Sequence, residues 1–366
     1  MKEKLTGIIL AGGESKRMGQ NKALIHFEGK MLIEHSILLM QSVCDEVIIS
    51  ANHPDYKTYG LPVIKDNYIS IGPLAGIEAS LSYSKTTHNL VISCDTPFVD
   101  LGILYEILKN RKDNLAIVPR LSKDKIEPLV AYYSKEILSI IREQIKNNNY
   151  KIQDLFEKAE TKFIDFGNKE IFKNLNTPTD LNNNSINYKK CFSNLILIAG
   201  DGRNVGKTFL ACKIISHLSG SSDVIGIKIS SHIHENETGD TIVCKNENFV
   251  IYDEKSVSLK DSSLMLQAGA KRVFYIIAKQ ENLKEAFFAI SDELKNHSVV
   301  CESGGLLEIV QPWLFLYVKN QIVPVQKQNL LKYSPIVISN HQNKFNFDFR
   351  CLGYENDRIT INTTNL

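Results

Sequence analysis

Two loops in this chain set glycines and lysines directly after an apolar run, a combination suited to holding a polyphosphate. The first follows GIILA (7–11): the string GGESKRMGQNKAL places Gly12, Gly13, Ser15, Lys16, Arg17, Met18, Gly19 and Lys22 in one loop leading toward a helix. Glycine lets backbone amides approach phosphate oxygens closely, and Arg17 and Lys22 bring fixed positive charge. Downstream, the apolar run VISCD ends on Asp95. At the carboxyl edge of a parallel sheet such a carboxylate lies where open α/β folds bind ligands, and Mg²⁺ on phosphate oxygens is a suitable partner. An aspartate before Thr96-Pro97 equally suits a turn or helix cap. Cys94, beside it, reads as a small core residue because no base is near enough in sequence to activate it.

The second loop lies in NLILIAGDGRNVGKTFLACKII (194–215). Gly206, Lys207 and Thr208 form the GK[ST] end of a P-loop: amides wrap phosphates, the lysine reaches the outer phosphates and the threonine binds Mg²⁺. The usual count wants glycine at 201, where Asp201 stands between Gly200 and Gly202, so Asn204 and Val205 complete a loop one residue longer. Glu302, ending VVCE, supports Mg²⁺ through water, acts on a nucleophile, or caps a helix. His232 and His234 alternate and would share one face of a strand, with no third metal ligand nearby.

The segments that must carry these loops alternate between short β-branched runs and stretches of helical period. The runs are GIILA, EVIISA (46–51), NLVISC (89–94), LAIVPR (115–120), NLILIAG (194–200), DVIGIKI (223–229), RVFYIIA (272–278) and SVVCE (298–302). The pattern predicts an α/β chain with two mostly parallel sheets, a Rossmann-like sheet followed by a P-loop-type sheet. Apolar returns every three or four residues predict helices over 31–43 and 283–296. LNNNSINYKK (181–190) is polar and aperiodic, which sets domains at 1–184 and 192–366 with a linker over 185–191.

With 366 residues, 43% of them hydrophobic, the chain has material for two cores. Its 43 Lys+Arg against 41 Asp+Glu leave a net charge of +2, so no broad field favours nucleic acid or an anionic membrane. No window approaches a membrane-spanning length, the start is unlike a signal peptide, and the seven cysteines include no CxxC pair. A cytoplasmic protein with reduced thiols is expected.

LAGGESKRMGQNKA (10–23) resembles the LAGGxSxRMGxxKA signature of the molybdenum cofactor guanylyltransferases, a group of Rossmann-like nucleotidyltransferases. Further matches follow in the family's order across residues 5–182. The resemblance implies nucleotide contacts from Leu10, Ala11, Gly12, Gly13 and Lys22. IISANHPDY implies Asn52 near the base, and VIKDNYISIGPLAGIEASL implies Asp66 and a base-side loop with Gly72, Pro73 and Gly76. VISCDTPFVD implies Asp95 as the metal aspartate, and NLNTPTDL places Asn174 and Asn176 near the metal or acceptor. The implied reaction is attack by the phosphate of molybdopterin on the α-phosphorus of Mg-GTP, releasing pyrophosphate. The attacking group is already anionic, so the site must supply positioning and charge neutralisation rather than a general base.

The second half resembles, less closely, the GTP-binding accessory protein of the same pathway, through IKISSHIHE (227–235), KDSSLMLQAGAKRVFYI (260–276) and VVCESGG (299–305). That implies a second GTP or ATP at the P-loop. NKFN (343–346) lacks the aspartate of a guanine-reading NKxD, and 306–366 contains no motif. The resemblances also imply other cofactor-biosynthesis proteins and recipient molybdoenzymes as partners. A CTP- or sugar-phosphate-using transferase and a nucleotide-responsive delivery scaffold remain the alternative readings.

Overall fold

The structure is a computed structural model that describes all residues except 1–2, 13–20, 28, 176–179, 181–188, 232–240, 320–328, 332, 334, 343 and 364–366. Gly13, Ser15, Lys16, Arg17, Met18, Gly19, Asn176, His232, His234 and most of the linker lie outside the described residues. The chain divides into two compact units, Met1–Tyr188 with Asn362–Leu366, and Lys189–Ile361. The expected second domain ran to residue 366, but the last residues group with the first unit, where buried Arg111 donates from Nη2 to the Thr363 carbonyl at 2.7 Å.

In the first unit the strands are β1 (Leu5–Leu10), β2 (His26–Phe27), β3 (Lys30–Met31), β4 (Glu46–Ser50), β5 (Val63–Ile64), β6 (His88–Ser93), β7 (Ala116–Ser122), β8 (Lys125–Ile126), β9 (Val130–Ser134) and β10 (Thr161–Asp165). Helices α1 (Leu32–Gln41), α2 (Pro73–Tyr83), α3 (Leu101–Leu108), α4 (Leu138–Lys146) and α5 (Ile152–Lys158) connect them. The main sheet runs β10-β7-β9-β6-β1-β4-β5, with β8 folded back on β7. Every residue of β1 is buried, as befits a central strand covered on both faces. Helix α1 forms where the periodicity predicts it, and Glu34 accepts the Met31 amide at 2.6 Å to close its first turn.

The expectation of a mostly parallel sheet needs correction here. β9 is antiparallel to both β6 and β7, so the sheet is mixed. The chain turns sharply after Ser122, β8 pairs antiparallel with β7, and β9 then enters the gap between β7 and β6. β1 remains parallel to β4 and to β6. The chain moves from β1 to β4 and β5 on one side, then returns to place β6 on the other. That reversal falls between β1 and β6, at whose carboxyl ends open α/β sheets bind ligands.

The second unit contains β11 (Lys190–Gly200), β12 (Val224–Ser230), β13 (Thr241–Lys245), β14 (Phe249–Asp253), β15 (Arg272–Ala278), β16 (Ser298–Glu302), β17 (Val310–Lys319), β18 (Ile336–His341) and β19 (Lys344–Phe345). They form one sheet in the order β13-β14-β15-β12-β16-β11-β17-β18-β19. The block from β15 to β18 is parallel, while β13, β14 and β19 pair antiparallel at the edges, so this sheet is mixed but mostly parallel, as expected. Its helices include α6 (Lys207–Leu218), α7 (Asp261–Gln267) and α8 (Leu283–Ala289). The helix predicted over 283–296 stops at Ala289. Beyond it the bonds shorten to three-residue turns, with Ser291 N and Oγ both donating to the Phe288 carbonyl, a local alternative that serine favours. Ile290 and Leu294 still fill the core, so the apolar spacing survives without the helix.

Candidate active site

The strand ends of the first sheet are stitched into one edge. Cys94 N donates to Leu10 O at 3.1 Å, Ala11 N to Ser50 O at 2.9 Å, and Ala51 N to Ile64 O at 2.9 Å. Asp95, Gly12, Asn52 and Asp66 follow these stitches by one or two residues each. They therefore line up along the edge, and Asp95 and Asp66 stand three strand spacings apart, about 14 Å.

Lys22 and Asp95 meet directly, with Nζ 2.5 Å from Oδ2 and side-chain exposures of 13% and 15%. Lys22 is placed by a short 3₁₀ turn, Lys22–Leu24, whose cap Asn21 accepts the Ala23 amide at 3.3 Å. Tyr56, buried, holds this turn to β1: its hydroxyl lies 2.8 Å from Asn21 Oδ1 and 3.0 Å from Ala11 O. Burial pushes that phenol up to about 12, so it stays a neutral donor. The other oxygen of Asp95 accepts from Ser93 Oγ at 2.5 Å, and its carbonyl accepts from Leu175 N at 3.0 Å. Asn174 adjoins that last bond in sequence, and its buried Oδ1 has no hydrogen-bond partner among the described residues. Cys94 is buried in the core and its thiol is pushed up to about 12, first by burial and then by the Asp95 charge.

At the far end of the edge Asn52 and Asp66 clasp each other, Asn52 Nδ2 donating to Asp66 Oδ2 at 2.9 Å and Asp66 N to Asn52 Oδ1 at 3.0 Å. Gly72 takes φ +72° as cap of α2, with Pro73 at the first helical position. A Cβ at Gly76 would stand 2.6 Å from Ser50 Oγ, so a larger residue here would have to turn that hydroxyl aside where α2 packs on β4. At Gly12 the nearest atom to such a Cβ is Ser50 O at 3.9 Å. Packing against the described residues therefore does not demand glycine at 12.

Sequence reasoning did not single out Ser93, Tyr56, Asn21 or Glu127. Continuing the β6/β9 register, in which Ile92 faces Val130, sets Glu127 opposite Asp95. Its carboxyl is pushed up to about 7, chiefly by burial and then by the Asp95 charge. The signal in the sequence was only a glutamate before Pro128, with nothing local to connect it to Asp95.

In the second unit, Asn204 at φ +59° and Gly206 at φ +99° turn the chain into α6. Lys207 Nζ donates to the Gly202 carbonyl within the loop. Thr208 Oγ1 donates to Glu302 Oε2 at 2.7 Å, which brings together the two candidate Mg²⁺ residues. Val205 is buried, and its carbonyl accepts from Asn340 Nδ2 at 2.9 Å. A Cβ at Gly200 would stand 2.5 Å from the Val318 carbonyl, so β17 can lie this close only beside glycine. Asp201 is buried, and Tyr317 donates to its Oδ1 at 2.6 Å. The residue that lengthens the loop is thus an anchor beneath it.

Residues 7–162 match the MobA-like NTP transferase domain family. The chain is 34% identical over 187 residues to a probable molybdenum cofactor guanylyltransferase from Flavobacterium johnsoniae, covering 50% of this chain and 98% of that protein. It is 34% identical over 185 residues to a protein of the same description from Carboxydothermus hydrogenoformans, covering 49% and 93%. Among solved structures, molybdopterin-guanine dinucleotide biosynthesis protein A from Archaeoglobus fulgidus is similar at 25% identity, covering 49% of this chain and 95% of that one with a TM-score of 0.43. Through its first half this chain belongs to the molybdenum cofactor guanylyltransferase family and is a nucleotidyltransferase.

Proposed function

We propose that the first unit transfers GMP from Mg-GTP to the terminal phosphate of molybdopterin or its metal-loaded form, releasing pyrophosphate. The observation that carries this reading is the Lys22–Asp95 pair at 2.5 Å at the carboxyl ends of β1 and β6, with Asn174 next in sequence to Leu175, whose amide donates to the Asp95 carbonyl. A carboxylate and an amide oxygen are hard donors of the kind Mg²⁺ takes, and an acceptor without a partner calls for a cation or a donor group. Glycine at 12 suits the close approach of phosphate oxygens to the backbone.

Asp95, oriented by Ser93, would hold a Mg²⁺ ion, whose charge would lessen the repulsion opposing attack at the α-phosphorus. Lys22 would exchange its carboxylate partner for the triphosphate. Arg17, known here from sequence alone, would add a second cation. An oxygen of the acceptor phosphate forms the new bond to the α-phosphorus while the bond to the β-phosphate oxygen breaks. Asn52 and Asp66, clasped at the distant end of the same edge, suit the base and ribose. The test is incubation of the protein with Mg²⁺, molybdopterin and each nucleotide in turn. Pyrophosphate released with GTP and not with CTP supports the reading, and preference for CTP, or no release with either, overturns it.

For the second unit we propose Mg-NTP binding at Gly206, Lys207 and Thr208, with Glu302 on the Mg²⁺ side. The supporting observation is the 2.7 Å approach of Thr208 to Glu302 across α6 and β16.

A further inference from the structure

Lys228 closes an ionic series that nucleotide binding at the P-loop leaves without a role. It faces Glu302 in the parallel register of β12 and β16. Its Nζ stands 2.7 Å from Glu302 Oε1 and 2.6 Å from Asp261 Oδ2. Because Glu302 Oε2 accepts from Thr208, the series Thr208, Glu302, Lys228, Asp261 runs from the first turn of α6 across the sheet to the first residue of α7. The Lys228 side chain is 16% exposed and that of Glu302 is 5% exposed. Burial pulls the ammonium toward neutrality, but the charges of Glu302 and Asp261 outweigh it, so the lysine stays protonated.

A buried carboxylate needs a compensating cation, and in this arrangement Lys228 is that cation for Glu302. Mg²⁺ taken up by Thr208 and Glu302 would bring two positive charges to the same carboxylate. Lys228 would then no longer be needed there, while new anionic oxygens would stand on the P-loop side of Glu302. Lysine carries a point charge on a flexible four-carbon stem, so it can follow the charge. Lys207 already occupies the loop itself, whereas Lys228 approaches from β12, beyond Glu302 and away from the loop.

Resting on the P-loop reading above, we infer that Lys228 contacts the terminal phosphate of the nucleotide in the second unit and makes that site select triphosphate over diphosphate. Asp261 is the acceptor it leaves on doing so.

The test uses the full chain carrying Lys22→Met and Asp95→Asn, so that titration reports the second site. Mg-GTP, Mg-GDP, Mg-ATP and Mg-ADP are titrated by calorimetry into this background and into the same background with K228M, K228R, D261N or K207A. K228M is expected to weaken triphosphate binding about 10- to 100-fold, the scale of one charged hydrogen bond, and diphosphate binding by less than about threefold. K228R should retain most of the selectivity, and D261N should retain all of it. Equal loss of both nucleotide classes in folded K228M, no loss in either, or loss of selectivity in D261N overturns the assignment. If K228M is unstable, K228Q keeps donors toward both carboxylates without charge and must show the same selective loss. Unchanged binding in K207A would instead refute the P-loop reading itself.

Discussion

Because Lys22 and Asp95 neutralise each other, removing one charge is expected to do more harm to stability than removing both. At 13% and 15% exposure the pair is mostly but not wholly withdrawn from water. Breaking a fully buried pair costs about 3–5 kcal/mol, and the residual solvent access at the sheet edge reduces that to about 1–3 kcal/mol for Lys22→Met or Asp95→Asn alone. Asp95→Asn is the milder of the two, since Ser93 Oγ can still donate to the amide oxygen. The double variant strands no charge, so its stability should return to within about 1 kcal/mol of the parent, giving a coupling energy close to the sum of the two single-variant losses. Turnover should behave differently. Each single change removes one element of charge neutralisation and should cost about a hundred- to a thousandfold, and the double variant should be no better than the worse single. Amide hydrogen exchange of β1 and β6 in the full chain reads the stability of this unit without requiring the whole chain to unfold in one step. Pyrophosphate release reads turnover. Additive stability losses together with near-normal turnover in any of the three variants would refute the reasoning, because the pair would then be a surface contact without a part in the chemistry.

Glu127 gives a pH signature. Its folded-state value of about 7 lies above the unfolded one, so between those values the folded chain retains a proton that the unfolded chain has lost, and stability falls as pH rises toward 7. In Mg²⁺-free buffer Glu127→Gln should flatten that fall, by up to about 3 kcal/mol between pH 5 and 8, as read by urea unfolding; an unchanged pH profile would contradict it. Gly200→Ala would set a Cβ 2.5 Å from the Val318 carbonyl, so it should destabilise the second unit by about 1–3 kcal/mol and weaken nucleotide binding at the P-loop, measured by thermal unfolding and calorimetry. Tyr317→Phe removes the 2.6 Å bond to buried Asp201 and should cost about 1–3 kcal/mol, with a loosened P-loop visible as faster exchange of its amides.

The sequence by itself determined the runs that become β1, β4, β6, β7, β11, β12, β15 and β16, because buried strands must be apolar and the turns that end them must be polar or glycine-rich. The same local logic located Lys22, Asp95, Lys207, Thr208 and Glu302, since each belongs to a glycine loop or a strand end that is recognisable within about ten residues. Three features lay beyond it. The antiparallel entry of β9 depends on a turn after Ser122 whose partner strand is chosen by the whole sheet, so apolar periodicity could not distinguish it from a parallel strand. The shortening of α8 left its apolar spacing intact, and so left no mark in the pattern that predicted the longer helix. The pairings of Lys22 with Asp95, of Glu127 with the same carboxylate across β6 and β9, and of Lys228 with Glu302 join residues 73, 32 and 74 positions apart. Charge type was written in the chain, but which charges meet, and therefore which carboxylate is held ready and by what cation, was decided only when the strands took their places in the sheets.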